Sequence, residues 1–318
     1  MDVMSDVLRM IHLEGALFLN GEFRAPWCIQ ATAGCSVAKA RLPHAEHFAI
    51  CHFVLEGHCW AQVPGEEALA LSAGDAVVFP YSDAHLVGSG LQHASVSIDH
   101  IVDLHLAKVQ ELSRLYYGGQ GEKTVLVCGW LAFEHGLPHP VNAALPRMFH
   151  TSLRKRPSGA WLDQSVRYAL DEATARHAGS DLLAAKIAEA LFVEALRGHV
   201  ESLSDSTRSW LSGLRDPQVG LALAAMHANP ARAWTVETLA QEVLMSRSAF
   251  ADRFNDLAGM PPMQYLKRWR LALAARMLGN ERSTLARVAQ RIGYESESAF
   301  NRAFKQEYGK APGVWRRG

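Results

Sequence analysis

Short apolar stretches separated by turn residues run through the first 150 residues, and a three-to-four spacing follows in the helices after them. The apolar stretches 48–55, 60–63 and 76–79 are separated by Gly57, Pro64-Gly65, Gly74-Asp75 and Pro80. Short strands at such even spacing predict a sandwich or barrel, after a brief helical start over residues 3–12. Two helices follow, 160–177 and 180–200, broken at Gly179. In the second, Leu183, Ile187, Leu191 and Glu194-Ala195 hold one face. That stripe either packs on its own barrel or contributes to a homodimer contact. Residues 202–216 are polar and predict an interdomain linker.

The last hundred residues repeat themselves. Ser246/Ser296, Phe250/Phe300, Phe254/Phe304, Gly259/Gly309 and Pro262/Pro312 share one offset. Ala240 and Ala289 lead the two copies, with the turn after Ala240 one residue shorter. Each copy predicts an apolar helix, a tight turn, and a second helix capped by serine, which is a helix-turn-helix present twice. Phe250/Phe254 and Phe300/Phe304 lie four apart and belong to the core. Residues 263–278 predict a connecting helix carrying Lys267, Arg268, Arg270 and Arg276. Its rigidity would set the spacing of the two reading helices along DNA.

Charge separates the halves. Residues 217–318 hold 15 Lys+Arg against 8 Asp+Glu, which leaves 17 basic and 24 acidic residues for the remainder. A basic module joined to an acidic one suggests a nucleic-acid reader coupled to a different task. An unspecific architectural binder, basic throughout, does not fit. No apolar run approaches the ~20 residues that span a bilayer, and the start carries acids where a signal peptide carries lysine or arginine. A cytoplasmic, nucleoid-associated protein without membrane contact is expected. Five cysteines without a CxxC pair suggest a reducing compartment.

Three motifs carry a resemblance: Met245-Ser246-Arg-Ser-Ala-Phe250-x-x-Arg253-Phe254, the run from Ala289 through Gly293-Tyr294 and Ser296 to Phe304-Lys305, and the close Gly309-Lys-Ala-Pro312-Gly-Val-Trp315. Residues 217–318 resemble the DNA-binding domain of AraC/XylS-family transcription regulators. The resemblance implies double-stranded promoter DNA and RNA polymerase as partners. By position, Arg247, Ser248, Ala251 and Asp252 would face DNA from the first reading helix, and Glu297, Ser298, Arg302 and Lys305 from the second. Relatives often carry a basic residue where Asp252 stands. Asp252 either accepts from a cytosine amino group or pairs with a neighbouring arginine, the second being the reading preferred on charge grounds.

The N-terminal half resembles the cupin-type sensor domains of the same family, through His52-Phe-Val-Leu-Glu-Gly57, Gly74-Asp75-Ala-Val-Val-Phe-Pro80, His85, Cys128-Gly129 and Pro26-Trp27. The expected fold is α+β: a cupin-like sensor barrel over 1–150, a helical hairpin over 151–202, a linker over 203–216, and an all-α double helix-turn-helix domain over 217–318. Cupin enzymes hold a metal, but the first metal motif is degraded. His44 and His47 are three apart rather than two, Ile50 replaces the glutamate, and Ser82 replaces a glycine of the second motif. No metal, cofactor or catalytic residue is therefore expected, and a cupin enzyme tethered to DNA is the weaker alternative. Trp27, His52, Trp60 and His85 are the candidate lining for a small-molecule effector. Cys28 and Cys128 are the candidates for a redox-sensing alternative.

Overall fold

The computed structural model describes residues 2–10, 13–14, 19–33, 47–101, 115–133, 144–175, 177–204, 206–280 and 283–316. Cys35 and His44 lie outside these. Two compact units emerge: one holds the described residues of 13–133 and 145–202, the other 2–10 and 203–316.

The first unit is a two-sheet barrel with a helical hairpin. Its larger sheet runs β10 (Leu115–Gly118), β2 (Leu19–Arg24), β11 (Lys123–Phe133), β4 (His47–Glu56), β7 (Asp75–Phe79), β12 (Phe149–Ser152), with β1 (Leu13–Glu14) on β11. The smaller runs β6 (Leu69–Ser72), β5 (His58–Gln62), β8 (His85–Gly88), β3 (Cys28–Ala31), β9 (Val96–Ser97). Strand β4 is buried on both faces except at its ends. Phe48, Ile50 and Val54 enter the core shared by the two sheets. The opposite face of the larger sheet is covered by a helix, with Gly129 of β11 lying 3.7 Å from Ala188 when given a Cβ. Gly57, at φ 78°, turns β4 into β5 where a side chain would meet the Lys123 carbonyl at 2.2 Å.

The hairpin consists of α2 (Gly159–Ala175) and α3 (Ser180–Ser202). Helix α3 packs on β7, β11 and β12. Ile187, Leu191 and Ala195 are buried there, so the apolar stripe serves its own barrel. Glu194 is buried in the same face. Arg156 Nε donates to its Oε2 at 3.1 Å and Ser158 Oγ at 2.7 Å, while Arg197 donates to Oε1.

The second unit is helical. It comprises α4 (Trp210–Arg215), α5 (Pro217–Ala228), α6 (Val236–Glu242), α7 (Arg247–Ala258), α8 (Pro262–Asn280), α9 (Leu285–Arg291), α10 (Glu297–Tyr308) and α11 (Pro312–Trp315). Two expected boundaries move. The stretch expected as a linker over 203–216 carries α4, whose Trp210 and Leu211 are buried against α5 and α7. Apolar surface of that size buries itself wherever a partner face exists, and two apolar residues in a polar stretch suffice. The N-terminal helix α1 (Val3–Met10), expected with the barrel, packs on α5 and α8 through Val3 and Val7. Arg276 Nη1 donates to the Arg9 carbonyl at 3.3 Å. Beneath α1, His227 stacks on Trp269 at 3.7 Å and hydrogen-bonds Tyr265 at 2.7 Å. Burial drives its pKa down to about 3, so it is neutral.

Candidate DNA-reading surface and ligand cavity

The two helix-turn-helix copies are built from the same local devices. Ser246 Oγ accepts from the Ala249 N–H at 3.3 Å, and Ser296 Oγ from Ala299 at 3.2 Å. Thr235 and Thr284 cap the preceding helices. The turns close with Met245 N–H on the Ala240 carbonyl and Tyr294 N–H on Ala289, both at 2.9 Å. Each turn needs one left-handed residue. In the second copy it is Gly293 (φ 82°), and in the first it is Leu244 (φ 56°), 94% exposed. Helices α7 and α10 end at Gly259 and Gly309, again left-handed.

Phe250, Phe254, Phe300 and Phe304 are all fully buried, which fixes the outward faces of α7 and α10. Arg247, Ser248 and Asp252 are exposed and Ala251 half-buried on the first; Glu297, Ser298, Arg302 and Lys305 are exposed on the second. Asp252 makes no ion pair among the described residues. The arginine next to it, Arg253, instead holds Asp216 at 2.5 and 2.9 Å. Asp216 is the better partner because it already caps α5 and is largely shielded from water. The pairing expected for Asp252 is thus not found among the described residues, and its carboxylate is exposed on the outward face of α7.

The cations of the connecting helix have structural duties. Lys267 reaches Gln306 at 3.0 Å and Arg268 pairs with Glu307 at 3.2 Å, tying α8 to α10. Arg270 donates to the carbonyls of Pro230 (2.6 Å) and Arg232 (2.8 Å), tying it to the loop between α5 and α6. Charge alone did not separate these from cations free to meet phosphate.

The barrel holds a cavity of about 40 Å³. Its wall is almost wholly apolar, with Phe23, Trp27, Ile50, Val87, Leu126 and Trp130 prominent, and its polar end is formed by His52, His85 and Cys128. Those three form one chain. Cys128 Sγ is 2.9 Å from His52 Nδ1, His52 Nε2 is 2.9 Å from His85 Nε2, and His85 Nδ1 is 2.8 Å from the Asp83 carbonyl. His85 is 1% exposed and stacks on Phe79 at 3.7 Å. Burial lowers the pKa of His85 to about 4, offset in part by Asp83. Burial, then the neighbouring His85, holds His52 well below the usual histidine range. Both rings are neutral at pH 7.

The four expected lining residues do not stay together. Trp27, His52 and His85 line the cavity, but Trp60 is 41% exposed on the outside of the barrel. Strand alternation decides this: Cys59 and Ala61 of β5 point inward, so Trp60 between them points out. Cys128, singled out for redox chemistry, is also a wall residue, a role its sequence context did not signal. Cys28 is fully buried and burial raises its thiol pKa; burial pushes those of Cys51 and Cys59 up to about 12. Ser82, in place of the motif glycine, holds the left-handed conformation at φ 53°. His52 sits between the other two cavity donors with one ring nitrogen toward each, so the three do not converge on a common point. Among the described residues no cluster of three potential metal ligands exists.

Comparison with known proteins follows this division. Residues 2–201 match the cupin family model, and residues 239–318 a helix-turn-helix domain model. An AraC-like transcription regulator of Streptomyces lividans is 32% identical over the whole chain and 98% of its own length. The HTH-type transcriptional regulator AlkR of Acinetobacter baylyi is 27% identical over 99% of both chains. The crystal structure of the DNA-binding domain of AdpA with a target DNA is 32% identical, spanning 32% of this chain and 91% of that one, with a TM-score of 0.31. No helix among the described residues is long and apolar enough to cross a membrane. The chain belongs to the AraC-like transcription regulators, DNA-binding proteins with an N-terminal cupin domain and a C-terminal helix-turn-helix domain.

Proposed function

We propose that the barrel is the sensor of this regulator, and that it binds a small, mainly apolar organic effector without a metal. The observation that carries this is the apolar cavity whose polar lining is His52, His85 and Cys128. Apolar walls supply affinity and a few polar groups supply orientation. The protein works as a cytoplasmic, nucleoid-associated regulator and not as an enzyme, contacting RNA polymerase at promoters, with homodimerisation open to surfaces other than the buried α3 stripe. Effector binding alters transcription only as far as it favours one conformation over another. The alternative is a redox sensor through Cys28 or Cys128, of which Cys128 lines the cavity.

A thermal-shift screen of neutral organic molecules on the full-length protein tests the sensor. A true effector at 100 times its Kd stabilises the protein by about 2.7 kcal/mol. Trp27→Ala and His52→Ala are expected to remove the shift, Trp60→Ala to preserve it, and chelators to leave it intact. A shift that disappears on chelation, or that survives both cavity substitutions, rules this reading out.

On the DNA side, Arg302 is proposed to read a base and Lys305 a phosphate. Neither has an ion-pair partner among the described residues, so both are available to DNA. Arg302→Ala should cost about 1–3 kcal/mol at a cognate site and little on scrambled DNA. Lys305→Ala should weaken both equally and flatten the dependence of log K on log salt by about 0.9. Quantitative electrophoretic shifts across a salt series separate the two; equal losses for Arg302→Ala on both DNAs would remove its reading role.

A further inference from the structure

Trp27 is 2% exposed and lines the cavity, yet its indole N–H has no hydrogen-bond partner among the described residues. Buried donors are almost always paired, and one left over on a cavity wall is placed to meet the acceptor of a ligand. Its backbone is satisfied: the Trp27 N–H meets Ser89 Oγ at 3.0 Å, and the Trp27 carbonyl accepts from the Ser89 N–H at 2.9 Å. Only the ring nitrogen, on a residue of the cavity wall, is left over.

The proton positions of the histidine chain follow from its far end. The Asp83 carbonyl only accepts, so His85 Nδ1 carries the hydrogen. A neutral His85 then has a bare Nε2, which accepts from His52 Nε2–H. A neutral His52 is left with a bare Nδ1, and that atom faces the Cys128 thiol at 2.9 Å. The wall therefore holds a sulfur with a base against it and an onward route for its proton, which is the arrangement that activates a thiol nucleophile. An apolar lining admits neutral molecules, and about 40 Å³ has room for only a few water-sized groups.

We propose that this cavity captures a short-chain α,β-unsaturated aldehyde or ketone as a covalent adduct on Cys128. The inference rests on the barrel being the effector site and names the effector's chemistry. The carbonyl oxygen accepts from the Trp27 indole N–H. Cys128 Sγ forms a bond to the β-carbon while its proton passes to His52 Nδ1, and the Nε2 proton of His52 passes to His85 Nε2. The carbon–carbon π pair moves toward the carbonyl to give an enolate, with the positive charge left on His85 near Asp83. The same chain returns one proton to the α-carbon, so S–H has added across the double bond. Nothing is oxidised and no group leaves.

Methyl vinyl ketone is a suitable probe, with butanone as its saturated counterpart. Full-length protein is treated with each, and cysteine modification is followed by peptide mass mapping over time. Cys128 should be alkylated at a rate that saturates with probe concentration and exceeds the rates at Cys28, Cys51 and Cys59. His52→Gln, checked for an unchanged thermal midpoint, should slow Cys128 alkylation by roughly 100-fold, the lower range for a positioned base. Trp27→Phe should raise the half-saturating concentration by roughly fivefold, the worth of one hydrogen bond, without changing the limiting rate. If His52→Gln does not fold, the wild-type saturation curve and Trp27→Phe decide alone. Alkylation that is linear in probe, equal at all four cysteines, or indifferent to these substitutions overturns the proposal. Reversible stabilisation by butanone and methyl vinyl ketone alike, with no adduct, overturns the covalent step while leaving the barrel as a ligand site. Failure of the wider effector screen to find any cavity-dependent binder is the separate result that removes the sensor reading itself.

Discussion

Phe304→Ala is expected to unfold the second helix-turn-helix and abolish high-affinity DNA binding, at a cost of about 3–5 kcal/mol. Phe304 is fully buried in a cluster with Leu271, Leu278, Val288, Ile292 and Phe300. Its ring meets those of Phe300 at 5.5 Å, Tyr308 at 4.7 Å and Trp315 at 5.7 Å. Alanine leaves a cavity bordered by rigid aromatic rings, which collapse into it poorly. The first helix-turn-helix keeps its own aromatic core, with Phe254 against Tyr265 at 5.8 Å. Urea unfolding followed by tryptophan fluorescence should show a new early transition in this variant. A midpoint within error of wild type would show that the second helix-turn-helix does not depend on this ring.

Glu194→Ala is expected to destabilise the barrel unit by roughly 3 kcal/mol, the lower end for breaking a buried ion pair. The substitution removes the acceptor of Arg156 Nε, Ser158 Oγ and Arg197. The loss stays at that lower end because Arg156 keeps Glu201, at 2.6 and 3.0 Å. A pH signature accompanies it. Burial raises the Glu194 pKa, but the Ser158 hydrogen bond and the two arginines together bring it below the ordinary glutamate value. A carboxylate depressed in the folded state contributes stability above its unfolded pKa of about 4.3, and that contribution is lost as pH falls through the lower folded value. Glu194→Ala should therefore flatten the acid limb of stability below about pH 4 and lower the plateau at neutral pH. An unchanged acid limb would mean that Glu194 is not a linked group.

Much of the helical unit was legible residue by residue because its determinants are local. Serine caps, paired phenylalanines four apart and left-handed C-caps act within one or two turns, so repetition of the pattern reproduces the geometry. The exception is instructive. Leu244 takes the left-handed turn position that Gly293 occupies in the second copy, held between its own N–H bond to the Gln241 carbonyl and the closing Met245–Ala240 bond. The barrel's strands were legible for the same reason, from short apolar runs between turn residues.

The cavity was legible only in part. Trp27, His52 and His85 converge because register sets them there: His52 pairs with Cys128 across β4 and β11, and Cys28 with Gly88 across β3 and β8. Trp60 fails because a one-residue step along a strand reverses the face, and nothing around Trp60 states which face is inside. The partnership of Arg253 with Asp216, rather than a link to Asp252, depends likewise on residues 37 apart in sequence.

What this chain's sequence determined by itself is the duplicated reader, its caps and cores, the presence of a strand-rich partner, and the family to which both belong. Those follow from interactions between residues close in sequence, whose spacing is readable directly. Only the tertiary structure decided that α1 and α4 join the DNA-binding unit, that α3 buries its stripe on its own sheet, and that Cys128, His52, His85 and Asp83 form one hydrogen-bonded chain beside the unpartnered indole of Trp27. Each depends on which distant faces meet, and burial of apolar surface sets that globally, beyond the reach of any local pattern.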